Sequence, residues 1–157
     1  MTRSAVGLEV PDIALAGTGG EFRLSAHAGK PLVIYFYPKD NTPGCTTEAG
    51  QFRDLHAEFT RLGCAVYGIS RDSLKSHQGF KAKLGLPFDL LSDTEEAACA
   101  LFDVIPMKKL YGKEVRGIER STFLIDAAGR LAREWRGVKS DGHASEVLMA
   151  VVGLSTA

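Results

Sequence analysis

The chain has 157 residues, 45% hydrophobic and 24% charged, the balance of a globular protein with one sizeable core. Lys plus Arg and Asp plus Glu both number 19, so charge gives no case for a nucleic-acid or anionic-membrane partner. No apolar run approaches the roughly 18 residues needed to span a bilayer. The stretch Met1 to Val10 lacks a continuous apolar region, so no signal peptide is expected. No repeat or linker divides the sequence, and one domain over residues 1–157 is expected.

Asp12 to Leu15 and Glu21 to Leu24 flank Gly17-Thr18-Gly19-Gly20 and read as a hairpin. Pro31 to Tyr37 is a continuous apolar run rich in β-branched and aromatic residues, the pattern of a strand buried on both faces. A helix follows: Ala49, Phe52, Leu55, Phe59 and Leu62 share one face, Thr42 is its N-cap, Pro43 its first residue and Gly63 its end. Ala65 to Ser70 reads as a strand, Ser73 to Lys83 as a helix stopped by Gly85 and Pro87, Phe88 to Leu91 as a short strand, and Asp93 to Phe102 as a helix. Val104 to Gly117 shows no period and reads as a loop. Ser121 to Ile125 and Leu131 to Trp135 flank Asp126-Ala-Ala-Gly-Arg as a second hairpin. Ala144, Val147, Leu148, Val151 and Val152 mark a closing helix. The order predicts an α/β protein with one mixed sheet flanked by helices.

Three cysteines, Cys45, Cys64 and Cys99, are too few and too widely spaced for a disulfide framework, and no Cys-x-x-Cys is present. This usage points to a reducing cytoplasm. Cys45 falls in the first turn of the helix that Thr42 and Pro43 open. Free backbone N–H groups and the positive end of the helix dipole there stabilise an anion, and the thiolate is the nucleophilic form of the side chain. A free cysteine is otherwise a small buried hydrophobe, which is the reading for Cys64 and Cys99.

The stretch Pro38-x-x-x-Thr42-x-x-Cys45 resembles the active-site signature of the peroxiredoxins. The words Tyr-Phe-Tyr-Pro-Lys-Asp and Thr-Pro-Gly-Cys-Thr resemble the bacterioferritin comigratory protein, or Q-type, subfamily. So do Phe52-Arg-Asp, Gly68-Ile-Ser-Arg-Asp-Ser, Leu91-Ser-Asp, Tyr111-Gly-Lys and Arg120-Ser-Thr-Phe-Leu-Ile-Asp. The resemblance covers nearly the whole chain. It implies a thioredoxin-like fold, reduction of hydrogen peroxide and organic hydroperoxides, and a monomer acting in antioxidant defence without a cofactor. By position, Cys45 would be the attacking thiolate, Thr42 would hydrogen-bond thiolate and peroxide, and Pro38 would wall the pocket. Arg120 would polarise the peroxide, and Glu48, one turn after Cys45, would orient that arginine. Without the resemblance, Arg120 reads as a solvated strand-edge charge and Glu48 as an exposed helix residue.

The resemblance also gives two places for a second, resolving cysteine, and here they hold Gly50 and Lys81. Cys64 lies nineteen positions from Cys45 along one helix, roughly 25–30 Å at about 1.5 Å per residue. A disulfide needs Cα atoms within about 7 Å. Cys99 is expected to pack toward the sheet. A one-cysteine cycle follows, with the Cys45 sulfenic acid reduced by an external thiol such as thioredoxin, glutaredoxin or glutathione. The alternatives are a Cys45–Cys99 bridge, and a thioredoxin-fold redox sensor or binding module that does not turn over.

His27, His56, His77 and His143 are scattered, form no metal spacing, and read as solvated or helix-surface residues. Lys108, Lys109, Lys113 and Arg116 gather in the long loop and read as a solvated face that at most contacts a reductase.

Overall fold

The computed structural model describes residues 4–106, 108–110 and 113–156. In chain order it contains β1 (Ala14–Gly17), β2 (Phe22–Arg23), a 3-10 turn (Leu24–His27), β3 (Leu32–Phe36), α1 (Pro43–Arg61), β4 (Ala65–Ser70), α2 (Leu74–Leu84), β5 (Leu90–Ser92), α3 (Ala97–Phe102), β6 (Lys108–Leu110), β7 (Lys113–Val115), β8 (Ser121–Ile125), β9 (Leu131–Arg136) and α4 (His143–Thr156).

Seven strands form one mixed sheet in the order β2-β1-β5-β4-β3-β8-β9. β3 runs parallel to β4 and antiparallel to β8, and every residue of β3 is buried. Its side chains alternate between two cores. Leu32, Ile34 and Phe36 pack with α3 and the N-terminal hairpin, while Val33 and Tyr35, and Tyr37 just beyond, pack with α1, α2 and α4. A strand with a helical layer on each side has no polar face, which is why its sequence shows no alternation.

Several boundaries differ from the sequence expectations. The first hairpin is shifted to β1 and β2, with a 3-10 turn after it, and the strand read at Phe88 to Leu91 runs Leu90–Ser92. The helix expected from Asp93 begins at Ala97, because Glu96 adopts a left-handed φ of 61°. Asp93 serves that helix from outside: its carboxylate accepts the N–H groups of Ala98 at 3.1 Å and Cys99 at 2.8 Å. The segment read as a loop from Val104 to Gly117 contains a separate antiparallel hairpin, with Lys108 opposite Val115. Three-residue strands are too short to display a period. Tyr111 and Gly112 of the Tyr-Gly-Lys word, and the side chains of Lys108, Lys109 and Lys113, lie outside the described residues. Arg116 is not simply solvated, for its guanidinium pairs with Glu96 at 2.7 Å.

Candidate active site

Thr42 is the N-cap of α1 with extended backbone (φ −85°, ψ 153°), Pro43 is the first helical residue, and Cys45 is the third. The first helical bond runs from Thr46 N–H to Thr42 O at 2.9 Å, so the N–H groups of Gly44 and Cys45 come before any intrahelical acceptor. The Thr42 side chain, however, does not cap the helix. Its hydroxyl donates to Lys39 O at 2.9 Å, which closes the turn ahead of the helix, and its partner is not the Cys45 sulfur. Pro38 is exposed at the head of that turn. Cys45 itself is buried, with 1% exposure, against the core formed by Tyr35, Ala49 and Phe52.

Arg120 enters from the residue before β8. Its Nη2 donates to Cys45 Sγ at 3.4 Å and its Nη1 donates to Glu48 Oε1 at 2.7 Å. A permanently charged, planar guanidinium thus spans the sulfur and a carboxylate one turn further along the same helix. Glu48 is fully buried, not exposed as its place on the helix alone suggests. Burial pushes its carboxyl up to about 7 against the opposing pull of Arg120. Its Oε2 has no hydrogen-bond partner among the described residues, and neither has the hydroxyl of Tyr35. Tyr35 stacks on Phe52 with centroids 4.6 Å apart. Gly68 on β4 makes room for it, since a Cβ there would lie 2.8 Å from the Tyr35 ring.

Sequence reasoning missed Gly44. A Cβ at this position would stand 3.0 Å from Arg120 Nη2, so the glycine admits the guanidinium to the helix start. Nothing in one sequence signals this, because the neighbour comes from a distant strand. Two histidines also differ from expectation. His77 is 0% exposed, and His143 is buried with Nε2 2.8 Å from the Thr122 hydroxyl.

The remaining sulfurs stand apart. All three cysteines are free. Cys64 lies beyond the far end of α1, and burial pushes its thiol up to about 12. Cys99 belongs to the core on the opposite face of the sheet from Cys45, as packing toward the sheet implied, and burial, reinforced by the neighbouring Asp93, raises its thiol well above the ordinary range. Gly50 lies within α1, and Lys81 donates to Asp89 at 2.6 Å. The only close group of potential metal ligands among the described residues is Asp40, Asp72 and His77, away from the sulfur's own contacts. No helix among the described residues is long and apolar enough to cross a membrane.

A buried thiol at a helix N-terminus, contacted by an arginine in a thioredoxin-like fold, defines a thiol-based oxidoreductase. Residues 6–134 match the AhpC/TSA family. Peroxiredoxin Bcp of Xanthomonas campestris is 54% identical over 149 residues, covering 92% of this chain and 93% of its own. Peroxiredoxin Bcp of Bacillus subtilis is 51% identical over 151 residues, 96% of each chain. Among solved structures, a trapped intermediate/ligand complex of the Xanthomonas campestris bacterioferritin comigratory protein, studied for its alkyl peroxide reduction activity, superposes with a TM-score of 0.92 at 51% identity, covering 96% of this chain and 99% of that one. The chain belongs to the AhpC/TSA family, within its Q-type, or bacterioferritin comigratory, peroxiredoxins, and is a thiol-dependent peroxidase.

Proposed function

We propose that the protein reduces hydroperoxides by a one-cysteine cycle centred on Cys45. The thiolate attacks one peroxide oxygen, the O–O bond breaks, and the leaving oxygen takes a proton to depart as water or an alcohol. Cys45 is left as a sulfenic acid. An external thiol then attacks this sulfur and water leaves, giving a mixed disulfide. A second thiol releases the Cys45 thiol and carries away the disulfide. The observation that carries the reading is the double contact of Arg120, with Cys45 Sγ at 3.4 Å and Glu48 at 2.7 Å. A cation fixed beside the sulfur stabilises the thiolate and the charge that gathers on the leaving oxygen.

Within this cycle Glu48 holds Arg120 in place, Thr42 offers its hydroxyl to the incoming peroxide, and Pro38 shields the sulfenic acid from water. Alkyl hydroperoxides are substrates alongside hydrogen peroxide, a reading supported by the activity stated for the Xanthomonas campestris relative. The reductant is thioredoxin, glutaredoxin or glutathione. The protein acts as a single-domain monomer in the cytoplasm, the compartment its cysteine usage suits. The sheet between Cys45 and Cys99 supports an external reductant over an internal bridge.

Intact-mass measurement after one equivalent of peroxide, without reductant, tests the cycle. A dimedone adduct on Cys45 is expected. Loss of two hydrogens that Cys99→Ser abolishes would overturn the one-cysteine reading.

A further inference from the structure

Beside the turn that leads into α1 lies a cluster of polar side chains that the peroxide chemistry does not use. Asp40 is buried. Its Oδ1 accepts the Tyr37 hydroxyl at 2.6 Å and its Oδ2 accepts the Ser76 hydroxyl at 2.8 Å. The Asp40 N–H donates to Asp72 Oδ2 at 2.9 Å. His77, on α2, places Nδ1 2.8 Å from Asp40 Oδ2 and Nε2 2.9 Å from the carbonyl oxygen of Leu91 on β5.

The hydrogens in this cluster follow from the partners. A carbonyl oxygen only accepts, so Nε2 of His77 carries hydrogen. The Ser70 hydroxyl, 3.4 Å from Nε2, has its own hydrogen on Asp72 Oδ2 at 2.6 Å. The Tyr37 hydroxyl, 3.3 Å from Nδ1, has its hydrogen on Asp40 Oδ1. Burial raises the Tyr37 phenol, which keeps its proton. Burial alone would also raise the Asp40 carboxyl, but hydrogen bonds from His77, Tyr37 and Ser76 outweigh it and hold the group below its ordinary value. Both Asp40 oxygens already take hydroxyl hydrogens, from Tyr37 and from Ser76, as a carboxylate does, so the 2.8 Å contact draws its hydrogen from Nδ1.

We propose that His77 is a positioning residue held as an imidazolium, a buried positive charge on α2 that pairs with Asp40 and docks the turn from Tyr37 to Thr42, thereby setting where the first turn of α1 and Cys45 stand. This rests on the reading of Cys45 as the attacking thiol. The groups facing the ring are Tyr37 beyond β3, Asp40 of the turn, Ser70 at the end of β4 with Asp72 behind it, and the Leu91 carbonyl of β5; Ser76 of α2 joins through Asp40. Ligand atoms of Asp40, Asp72 and His77 lie within 4.8 Å of one another, a spacing that also suits a cation. Hydroxyl, ring and backbone N–H donors point at these carboxylates instead and satisfy their oxygens.

Nitrogen NMR of the full-length, reduced protein at neutral pH reads the ring directly. The His77 resonances are assigned by their disappearance in His77→Gln, and directly bonded hydrogen on both nitrogens is expected. A ring with one N–H would overturn the proposal. The second readout is single-turnover attack of Cys45 on hydrogen peroxide. His77→Gln, whose amide donates but carries no charge, is expected to slow attack about ten- to a hundredfold, the scale of a misplaced reacting group. Ser76→Ala, which removes one donor from Asp40, is expected to slow it less. Adding Asp40→Asn to His77→Gln is expected to lose less than the two single losses multiplied, because neither charge is then buried alone. Wild-type attack rates in His77→Gln, or multiplicative losses in the double variant, would overturn the pairing. If His77→Gln does not fold, the wild-type ring spectrum and Ser76→Ala decide. A wild-type protein inert toward peroxide would overturn the Cys45 reading and leave the ring spectrum unaffected.

Discussion

Cys45 and Cys99 lie on opposite faces of the seven-stranded sheet, the first in the core beneath α1 and the second in the core beneath α3. The β3 residues between the two cores are buried, so the sulfurs stand in separate cores. Cys99→Ala, and equally Cys64→Ala, should keep full peroxide turnover with dithiothreitol, at a stability loss of no more than about 1–2 kcal/mol for the lost sulfur. Cys45→Ser should abolish turnover. Loss of turnover in Cys99→Ala, with the protein still folded, would assign Cys99 to the cycle.

Arg120→Ala should slow the attack on peroxide by about 10²–10³-fold, the range for removing one donor aimed at developing charge. Arg120→Lys should recover only part of this, because an ammonium is a compact point charge and the two contacts here come from the two prongs of a planar fork. Stopped-flow rates of sulfenic acid formation give the comparison, and equal rates in all three proteins would remove Arg120 from the site.

Gly44→Ala separates packing from catalysis. Alanine favours the helix over glycine by about 1 kcal/mol, which offsets part of the crowding, so stability should change by about 1 kcal/mol or less in either direction. The new Cβ would stand 3.0 Å from an Arg120 nitrogen whose other prong is anchored on Glu48. The guanidinium must shift, and attack should slow by about tenfold. A rate unchanged from wild type would show that Arg120 tolerates displacement.

Glu48 gives stability a pH signature. Its carboxyl is raised in the folded protein from 4.5 to about 7, so between these values the folded state holds a proton that the unfolded chain has lost. The contribution is fully present below about pH 4.5, falls as pH rises, and is gone above about pH 7. Denaturant titrations at about pH 5 and about pH 8 should show wild type losing on the order of 1–3 kcal/mol relative to Glu48→Gln across this window. Parallel curves would mean that Glu48 is already ionised at the lower pH.

The sequence carries what depends on near neighbours. The unbroken apolar run of β3, the Thr42-Pro43 start of α1 and the left-handed Gly85 that ends α2 are each written within a few residues. The place of Cys45 in the first turn was legible for the same reason, since it is set by the N-cap Thr42 and the first helical residue Pro43. The pairing of Glu48 with Arg120 was legible only through the family resemblance. The burial of Glu48 depends on Arg120, 72 positions away, and a charged residue on a helix otherwise reads as solvated. His77 was misread on similar grounds, because its partners are a carboxylate 37 positions back and a main-chain carbonyl, which no side-chain pattern announces. The Val104–Gly117 segment failed differently: its strands are too short for any periodicity to show.

The 75 positions between Cys45 and Arg120 also set an order of events for a newly made chain. α1 can form from local contacts, but Arg120 reaches the sulfur only when β8 zips onto β3, a pairing of distant segments that forms late because of the chain entropy it costs. Until then the thiol has no guanidinium beside it. The contact between the guanidinium and the sulfur is therefore a property of the finished tertiary structure and not of the helix alone.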